Sequence, residues 1–242
     1  MNLNAKTALI TGASQGLGRA LAFELSRRGA SVVLVARGRT QLDHAVQEVR
    51  AEGGSAYGIV ADVASKQDIY RISGEASAQA GPIDVAILNA STLGPLPLPE
   101  LIALACEDLA EVFELNVMGH FRLAKALVGP MLLRGEGTVL ALSSDAAVSA
   151  CPTWGAYGAS KAAFDHLLRV WAEELTSSGV RLLSVDPGEM DTQMHKDAMP
   201  DADPTSLNRP EAVAKRIASM LEDTARATNG DRLAADQWRA SA

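Results

Sequence analysis

Tyr157 and Lys161 stand four residues apart in the run Tyr157-Gly158-Ala159-Ser160-Lys161, a spacing that puts a phenol and an ammonium on one face of a helix. Such a pair can do acid–base chemistry. A free phenol with pKa ~10 exchanges its proton slowly at neutral pH, and a cation beside it favours the phenolate and eases transfer to or from an oxygen. Upstream, Ser144 follows the apolar run Thr138-Val139-Leu140-Ala141-Leu142, so its hydroxyl stands at the carboxyl end of a strand, where it can orient the same oxygen. The plain alternative for Tyr157 and Lys161 is an ordinary surface contact; a serine placed at a strand end favours proton transfer to a carbonyl or from an alcohol.

A second cluster opens the chain. The run Thr11-Gly12-Ala13-Ser14-Gln15-Gly16-Leu17-Gly18 follows a short apolar stretch and precedes a helical pattern. Glycines there admit backbone conformations closed to other residues and let main-chain amides approach a pyrophosphate, which the positive end of the following helix also favours. Glycines serve plain strand-to-helix turns as well. The next strand, Val32-Val33-Leu34-Val35, ends in Ala36-Arg37, with no carboxylate to meet the ribose hydroxyls of NAD. A guanidinium there can pair with the 2′-phosphate of NADP. Read plainly, Arg37 is a solvated charge, and Arg39 lies close enough in sequence to stand in for it.

These groups need a scaffold. Apolar runs at 7–10, 32–35, 56–60, 83–88, 138–142 and 180–185 alternate with helical patterns at 17–28, 42–51, 69–80, 112–133 and 154–177. The alternation predicts an α/β fold, a doubly wound, mainly parallel sheet with helices on both faces, and 242 residues suit a single domain. The proline-rich stretches 94–99 and 187–210 read as loops, and 188–210 is the candidate for a mobile substrate lid.

The Gly-xxx-Gly-x-Gly spacing of Gly12, Gly16 and Gly18 resembles the short-chain dehydrogenase/reductase family, and further motifs follow in that family's order up to about residue 192. The resemblance implies a Rossmann-type fold and a dinucleotide cradle built from Gly12, Ser14, Gln15, Gly16, Leu17 and Gly18. It implies NADP(H) as the preferred cofactor on the strength of Ala36-Arg37, with NAD(H) as the alternative. Asp62-Val63 matches the adenine-contacting pair, and Asn89-Ala90 matches the family's Asn-Ala-Gly, with Ser91 replacing its glycine. Asn116, Ser144, Tyr157 and Lys161 match the catalytic set: Tyr157 as general acid and base, Ser144 orienting the substrate oxygen, Asn116 holding a water that links Lys161 to solvent. Tyr157 and Lys161 also contact the cofactor in the family, and Pro187-Gly188 with Thr192 matches the segment that fixes the nicotinamide. The implied activity is hydride transfer between nicotinamide and a carbonyl or alcohol carbon of a small aldehyde, ketone or quinone-like substrate, with no metal. NAD-dependent alcohol oxidation on the same fold, or dinucleotide sensing without catalysis, are the alternatives. Many members end in a strand closing with Gly-Gly that helps build a tetramer. Here Asn229-Gly230-Asp231-Arg232-Leu233 runs into Gln237-Trp238-Arg239 without it, so the expected homo-oligomer is a dimer through the two long helices or a tetramer.

Composition excludes other classes. Lysine and arginine total 22 against 29 acidic residues, a net charge of −7 without a basic stripe, so nucleic acid is not an expected partner. Cys106 and Cys151 lack CxxC spacing, and His120, His166 and His195 lack ligand spacing, so they read as free thiols and as solvated or structural imidazoles. No apolar run reaches the length of a membrane span, and the stretch before Thr11 is too short for a signal-peptide core. A cytoplasmic location is the expectation. For the substrate pocket, position nominates Asp145, Cys151, Trp154, Glu189, Met190 and Met194, any of which can equally be a rim or packing residue; the two carboxylates favour a polar or cationic substrate.

Overall fold

Five of the six apolar runs are buried on both faces, the edge run 56–60 only in part, and this dictates a sheet covered by helices on both sides. The computed structural model describes residues 1–239. Seven strands, β1 (Thr7–Thr11), β2 (Ser31–Ala36), β3 (Ala56–Val60), β4 (Val85–Leu88), β5 (Gly137–Leu142), β6 (Val180–Asp186) and β7 (Arg232–Ala234), form one sheet in the order β3-β2-β1-β4-β5-β6-β7. Every pairing is parallel. The strand order reverses between β1 and β4, and the carboxyl ends on either side of such a reversal leave a crevice for a ligand.

Successive side chains on a strand point to opposite faces, so the strands feed two cores. Ile10, Leu34, Leu140 and Leu183 pack with α1 (Gly16–Arg27), α2 (Arg39–Ala51) and α8 (Pro210–Glu222). Leu9, Val33, Val139 and Leu182 pack on the other face with α3 (Lys66–Ala80), α5 (His120–Arg134) and α6 (Gly155–Glu174). Ser65 caps α3 by accepting from the Asp68 amide, and Gly135 closes α5 in the left-handed conformation at φ 72°.

Three features depart from the sequence pattern. The helix expected over 112–133 begins earlier, as α4 (Cys106–Phe113), and runs through a π-helical turn, Glu114–Gly119, before α5. The bulge falls where Gly119 passes close to the Val63 carbonyl; a Cβ there would stand 2.4 Å from that oxygen. Helix α8 escaped notice because it follows a proline-rich stretch, although Val213, Ala214, Ile217, Ala218 and Leu221 carry helical period and pack against α1. The final strand exists as β7 despite lacking Gly-Gly, and beyond it Trp238 is buried under the Arg226 guanidinium, 4.2 Å from the ring centroid.

The stretch expected as a lid has regular structure. It carries α7 (Gln193–Ala198) and a 3-10 turn, Pro204–Ser206. Its two limbs are pinned together, with the Asp191 amide donating to the Asn208 carbonyl at 3.0 Å and the Asn208 amide to the Glu189 carbonyl at 3.2 Å. Among the described residues no helix is long and apolar enough to cross a membrane.

Ile87 sits in the middle of β4 with no exposed surface. Ile87→Ala removes buried methylenes and leaves a cavity, and urea unfolding should show a loss of about 2 to 5 kcal/mol.

Candidate active site

The carboxyl ends of the strands around the reversal open on a cleft of about 700 Å³. Its floor is the glycine turn. Gly12 and Gly16 adopt φ of 64° and 54°, a region that favours glycine. Asn89 and Ala90 hold the turn from behind: the Asn89 amide side chain donates to the Thr11 and Gly12 carbonyls at 2.8 and 3.2 Å, and both backbone amides donate to Thr11 Oγ1. Gly18 lies behind the cleft wall, tucked so close to the Gly12 carbonyl that a Cβ would stand 2.4 Å from its oxygen. Gln15 opens α1 without a side-chain cap and the first turn holds no acidic residue, so its free amides suit an anion. Ser14, Gln15, Gly16 and Leu17 all line the cleft. The cradle fits a dinucleotide pyrophosphate.

At one end of the cleft, beyond β2 and β3, the wall includes Arg37, Gln41 and Arg19 with Asp62 and Val63. Among the described residues the Arg37 side chain has no hydrogen-bond or ion-pair partner, leaving all its donors available to an incoming anion. Arg39 begins α2 and is not in the cleft wall. Arg19 does reach the wall, bridged to Glu48 at 2.7 Å and lying over the Phe23 ring at 4.6 Å. Asp62 is braced by its neighbours, its carboxylate accepting from the Ala64 amide at 2.9 Å.

At the other end, the π turn, the turn after β5 and α6 bring four side chains together. Tyr157 and Lys161 line the cleft yet are only 8% and 3% exposed. Lys161 Nζ donates to the Leu142 carbonyl at 2.8 Å and lies 5.4 Å from the Tyr157 ring centroid. Burial pushes the ammonium down to about 8, with Asp165 opposing. Burial also pushes the Tyr157 phenol above its ordinary value; the Ser144 and Ser91 hydroxyls work against that, and Asp186 and Asp145 add to it. In the chain alone, before the positive nicotinamide ring adds its charge, desolvation is the largest influence on the phenol.

Ser144 donates to Asp145 Oδ1 at 2.9 Å and accepts from the Ala146 amide at 3.2 Å. Its loop can lie this near Tyr157 because Gly158 has no side chain; a Cβ there would meet the Ala146 carbonyl oxygen at 2.5 Å. Asn116 is wholly buried in the π turn, donating to the Thr92 carbonyl and Ser160 Oγ at 2.9 and 3.0 Å and accepting from the Thr92 amide and Ser91 Oγ at 2.9 and 3.2 Å. The side-chain amide is saturated by protein, so it clamps the 91–92 loop to α6, and a water held by this residue must use its backbone carbonyl. Ser91, where the family has glycine, is thus an active partner of Asn116. His120, one turn on, is buried with its ring tilted against Phe164 at 5.5 Å, and burial pushes it down to about 3, so it is neutral.

Pro187 and Thr192 line the cleft, while Gly188 is not in its wall and stands at φ 73° with its amide on Asp186 Oδ1 at 3.0 Å. Of the candidate pocket residues, Met190 and Met194 reach the wall, Trp154 sets its ring edge on Tyr157 at 5.8 Å, and Asp145 holds Ser144. Cys151 is half-buried and Glu189 is exposed, neither in the wall. Arg19, Gln41, Ser91, Lys196 and Arg209 also line the cleft. For Arg19 a signal existed, since it lies one helical turn beyond Gly16; the others arrive from loops whose course is set by tertiary packing.

The profile of the short chain dehydrogenases matches residues 6–203. The chain belongs to the short-chain dehydrogenase family. This short-chain dehydrogenase is 32% identical over 196 residues to the 7alpha-hydroxysteroid dehydrogenase of Escherichia coli K12, covering 81% of this chain and 75% of that one. Among solved structures, a 7α-hydroxysteroid dehydrogenase complexed with NADH and 7-oxo glycochenodeoxycholic acid superposes with a TM-score of 0.88 at 27% identity, covering 99% and 97% of the two chains. A short chain dehydrogenase from Shigella flexneri 2a complexed with NADP gives 0.90 at 26% identity, covering 97% and 98%. The short-chain dehydrogenase described here is accordingly an oxidoreductase.

Gly158→Ala drives the Ala146 carbonyl away and takes Ser144 with it. Turnover should fall ~10²-fold while dinucleotide affinity, measured by fluorescence titration, stays unchanged; full turnover would show that the close approach is not needed.

Proposed function

We propose that this oxidoreductase uses NADP(H) to interconvert a carbonyl and an alcohol on a small substrate, with Tyr157 as the proton donor and acceptor. The observation that carries this is one cleft with a guanidinium, Arg37, that is unpaired among the described residues at one end, and a buried phenol–ammonium pair, with Ser144 against the phenol, at the other. Arg37, with Ser14 near it, would hold the 2′-phosphate; Asp62 and Val63 would flank the adenine; the glycine turn from Gly12 to Leu17 would hold the pyrophosphate, with Asn89, Ala90 and Gly18 keeping its shape. Pro187, Gly188 and Thr192 would set the nicotinamide face. When bound, the nicotinamide supplies or accepts the hydride.

The chain's own residues handle the oxygen. Ser144 turns its hydroxyl from Asp145 to the substrate oxygen, and Tyr157 passes its phenolic proton to the same atom as negative charge develops there. Lys161 stabilises the resulting phenolate and supplies the replacement proton, while Asn116 keeps Ser91, Thr92 and Ser160 in register around them. In the opposite direction the same groups take the alcohol proton. The absence of a carboxylate at Ala36 weighs against NAD-dependent alcohol oxidation. The exposed apolar side chains Leu167 and Val170, adjacent on α6, support a homodimer through the long helices, and Cys106 and Cys151 are free thiols suited to the cytoplasm.

Tyr157→Phe should abolish turnover with dinucleotide affinity intact, and unchanged turnover would end the proton-path reading. Arg37→Ala should weaken NADPH binding by ~1.5 to 3 kcal/mol, the range for hydrogen bonds to a charged group, and leave NADH binding unaffected; equal losses would end the 2′-phosphate reading. The pH dependence has a definite sign. Lys161 carries its charge below about 8 and loses it above, so carbonyl reduction should decline as pH rises through about 8. A rate profile level well beyond that point would contradict the role given to the ammonium.

A further inference from the structure

Arg232 opens β7 at the edge of the sheet, and the proton path does not use it. Its guanidinium nevertheless reaches the foundations of the site. Nη2 donates to the Ser144 carbonyl at 2.7 Å, Nε donates to Asp165 Oδ2 at 3.0 Å, and Nη2 approaches Asp186 Oδ2 at 3.4 Å. Each acceptor is tied in turn to the chemistry. Asp165 accepts from Ser143 Oγ at 2.5 Å and sits on α6 one turn beyond Lys161. Asp186 ends β6 and accepts from the Gly188 amide at 3.0 Å. The Ser144 carbonyl belongs to the peptide that carries the serine into its 3-10 turn.

We propose that Arg232 is a positioning residue for carbonyl–alcohol interconversion: its guanidinium clasps the ends of β5 and β6 to α6 and so holds Ser144 against Tyr157. The inference rests on the function proposed above. A planar guanidinium has fixed donor directions, so satisfying a backbone carbonyl and two carboxylates at once fixes the relative placement of all three segments. The clasp is largely withdrawn from water, with side-chain exposures of 27% for Arg232, 9% for Asp165 and 13% for Asp186, so solvent screens it less than a surface pair. An apolar or shorter residue at 232 would leave Asp165 and Asp186 without a shared cation, and the Ser144 carbonyl with only the Ala147 amide, at 3.1 Å, as donor.

The charge also bears on the proton path. Tyr157 is faced by Lys161 from its own helix, by Asp186 from the end of β6 and by Asp145 from the turn after β5, with the Ser144 and Ser91 hydroxyls between. Lys161 is faced by Asp165 and by His120, which is neutral. Removing the cation that partly offsets Asp165 and Asp186 leaves more negative charge around the phenol and disfavours phenolate. Alcohol oxidation needs phenolate, so its acid limb must move to higher pH.

The test compares wild type, Arg232→Met and Arg232→Lys in alcohol oxidation and carbonyl reduction across pH. Arg232→Met should lose kcat by about 10- to 100-fold with KM for the dinucleotide unchanged, and its acid limb for oxidation should move up. Arg232→Lys keeps the charge without the fork, so the limb should stay in place while kcat recovers only in part; this variant also decides the matter if Arg232→Met does not fold. A kcat equal to wild type in Arg232→Met, or a loss of the same factor at every pH with the limb unmoved, would reduce Arg232 to a plain structural bridge, and full kcat in Arg232→Lys would dismiss the fork. If wild type itself turns over no substrate, the functional reading fails, and the clasp is decided separately by amide hydrogen exchange at residues 146–148. Faster exchange there in Arg232→Met upholds it, and unchanged exchange overturns it.

Discussion

A single positive charge, the Lys161 ammonium, lies almost wholly out of water and donates to the Leu142 backbone carbonyl. Withdrawing such an ion from solvent costs several kcal/mol, and among the described residues no carboxylate pairs with it, so the fold must hold it there by other means. The carboxyl end of β5 supplies the accepting carbonyl, α6 carries the lysine on the same face as Tyr157, and Asp165 lends a more distant negative charge. The arrangement leaves the ammonium close to giving up its proton at physiological pH, which is the property a proton-supplying group needs.

Close backbone approaches make that placement possible. Gly158 lets the Ser144 turn lie on α6, Gly119 lets the π turn press against Val63, and Gly18 lets α1 start immediately behind the Gly12 carbonyl. Each brings a catalytic or binding segment to the same end of a parallel sheet, where the strand order reverses. Around them polar groups are tied together: Asn116 uses both donors and its acceptor oxygen on Thr92, Ser91 and Ser160, and Arg232 joins the ends of β5 and β6 to α6. Paired networks of this kind fix one geometry, because breaking any member leaves a buried polar group unsatisfied.

Much of this was legible in the sequence where the signal is local. The glycine turn, Arg37, and the Tyr157, Lys161 and Ser144 set are defined by spacing within a short stretch, and the six longer strands by apolar runs. What escaped depends on contacts between distant residues. Arg232 lies 88 positions from the serine whose carbonyl it holds, and in sequence it reads as one more charge near a polar tail. β7 is three residues long and takes its register from β6, so periodicity cannot reveal it. Asn116 drew attention through its motif, but its partners Thr92 and Ser160 come from a loop and another helix, and the π turn that aims it has no sequence signature of its own. For Tyr157, spacing does not report burial, which raises the phenol in the chain alone.

The most direct test of the account follows the hydride. NADPH carrying deuterium at C4 would be incubated with the enzyme and a panel of aldehydes, ketones, diketones and quinones, and the alcohols analysed by mass spectrometry. The account predicts deuterium on the carbinol carbon of at least one product, formed faster than from labelled NADH and not formed by Tyr157→Phe. Tight NADPH binding with no label in any product would contradict it.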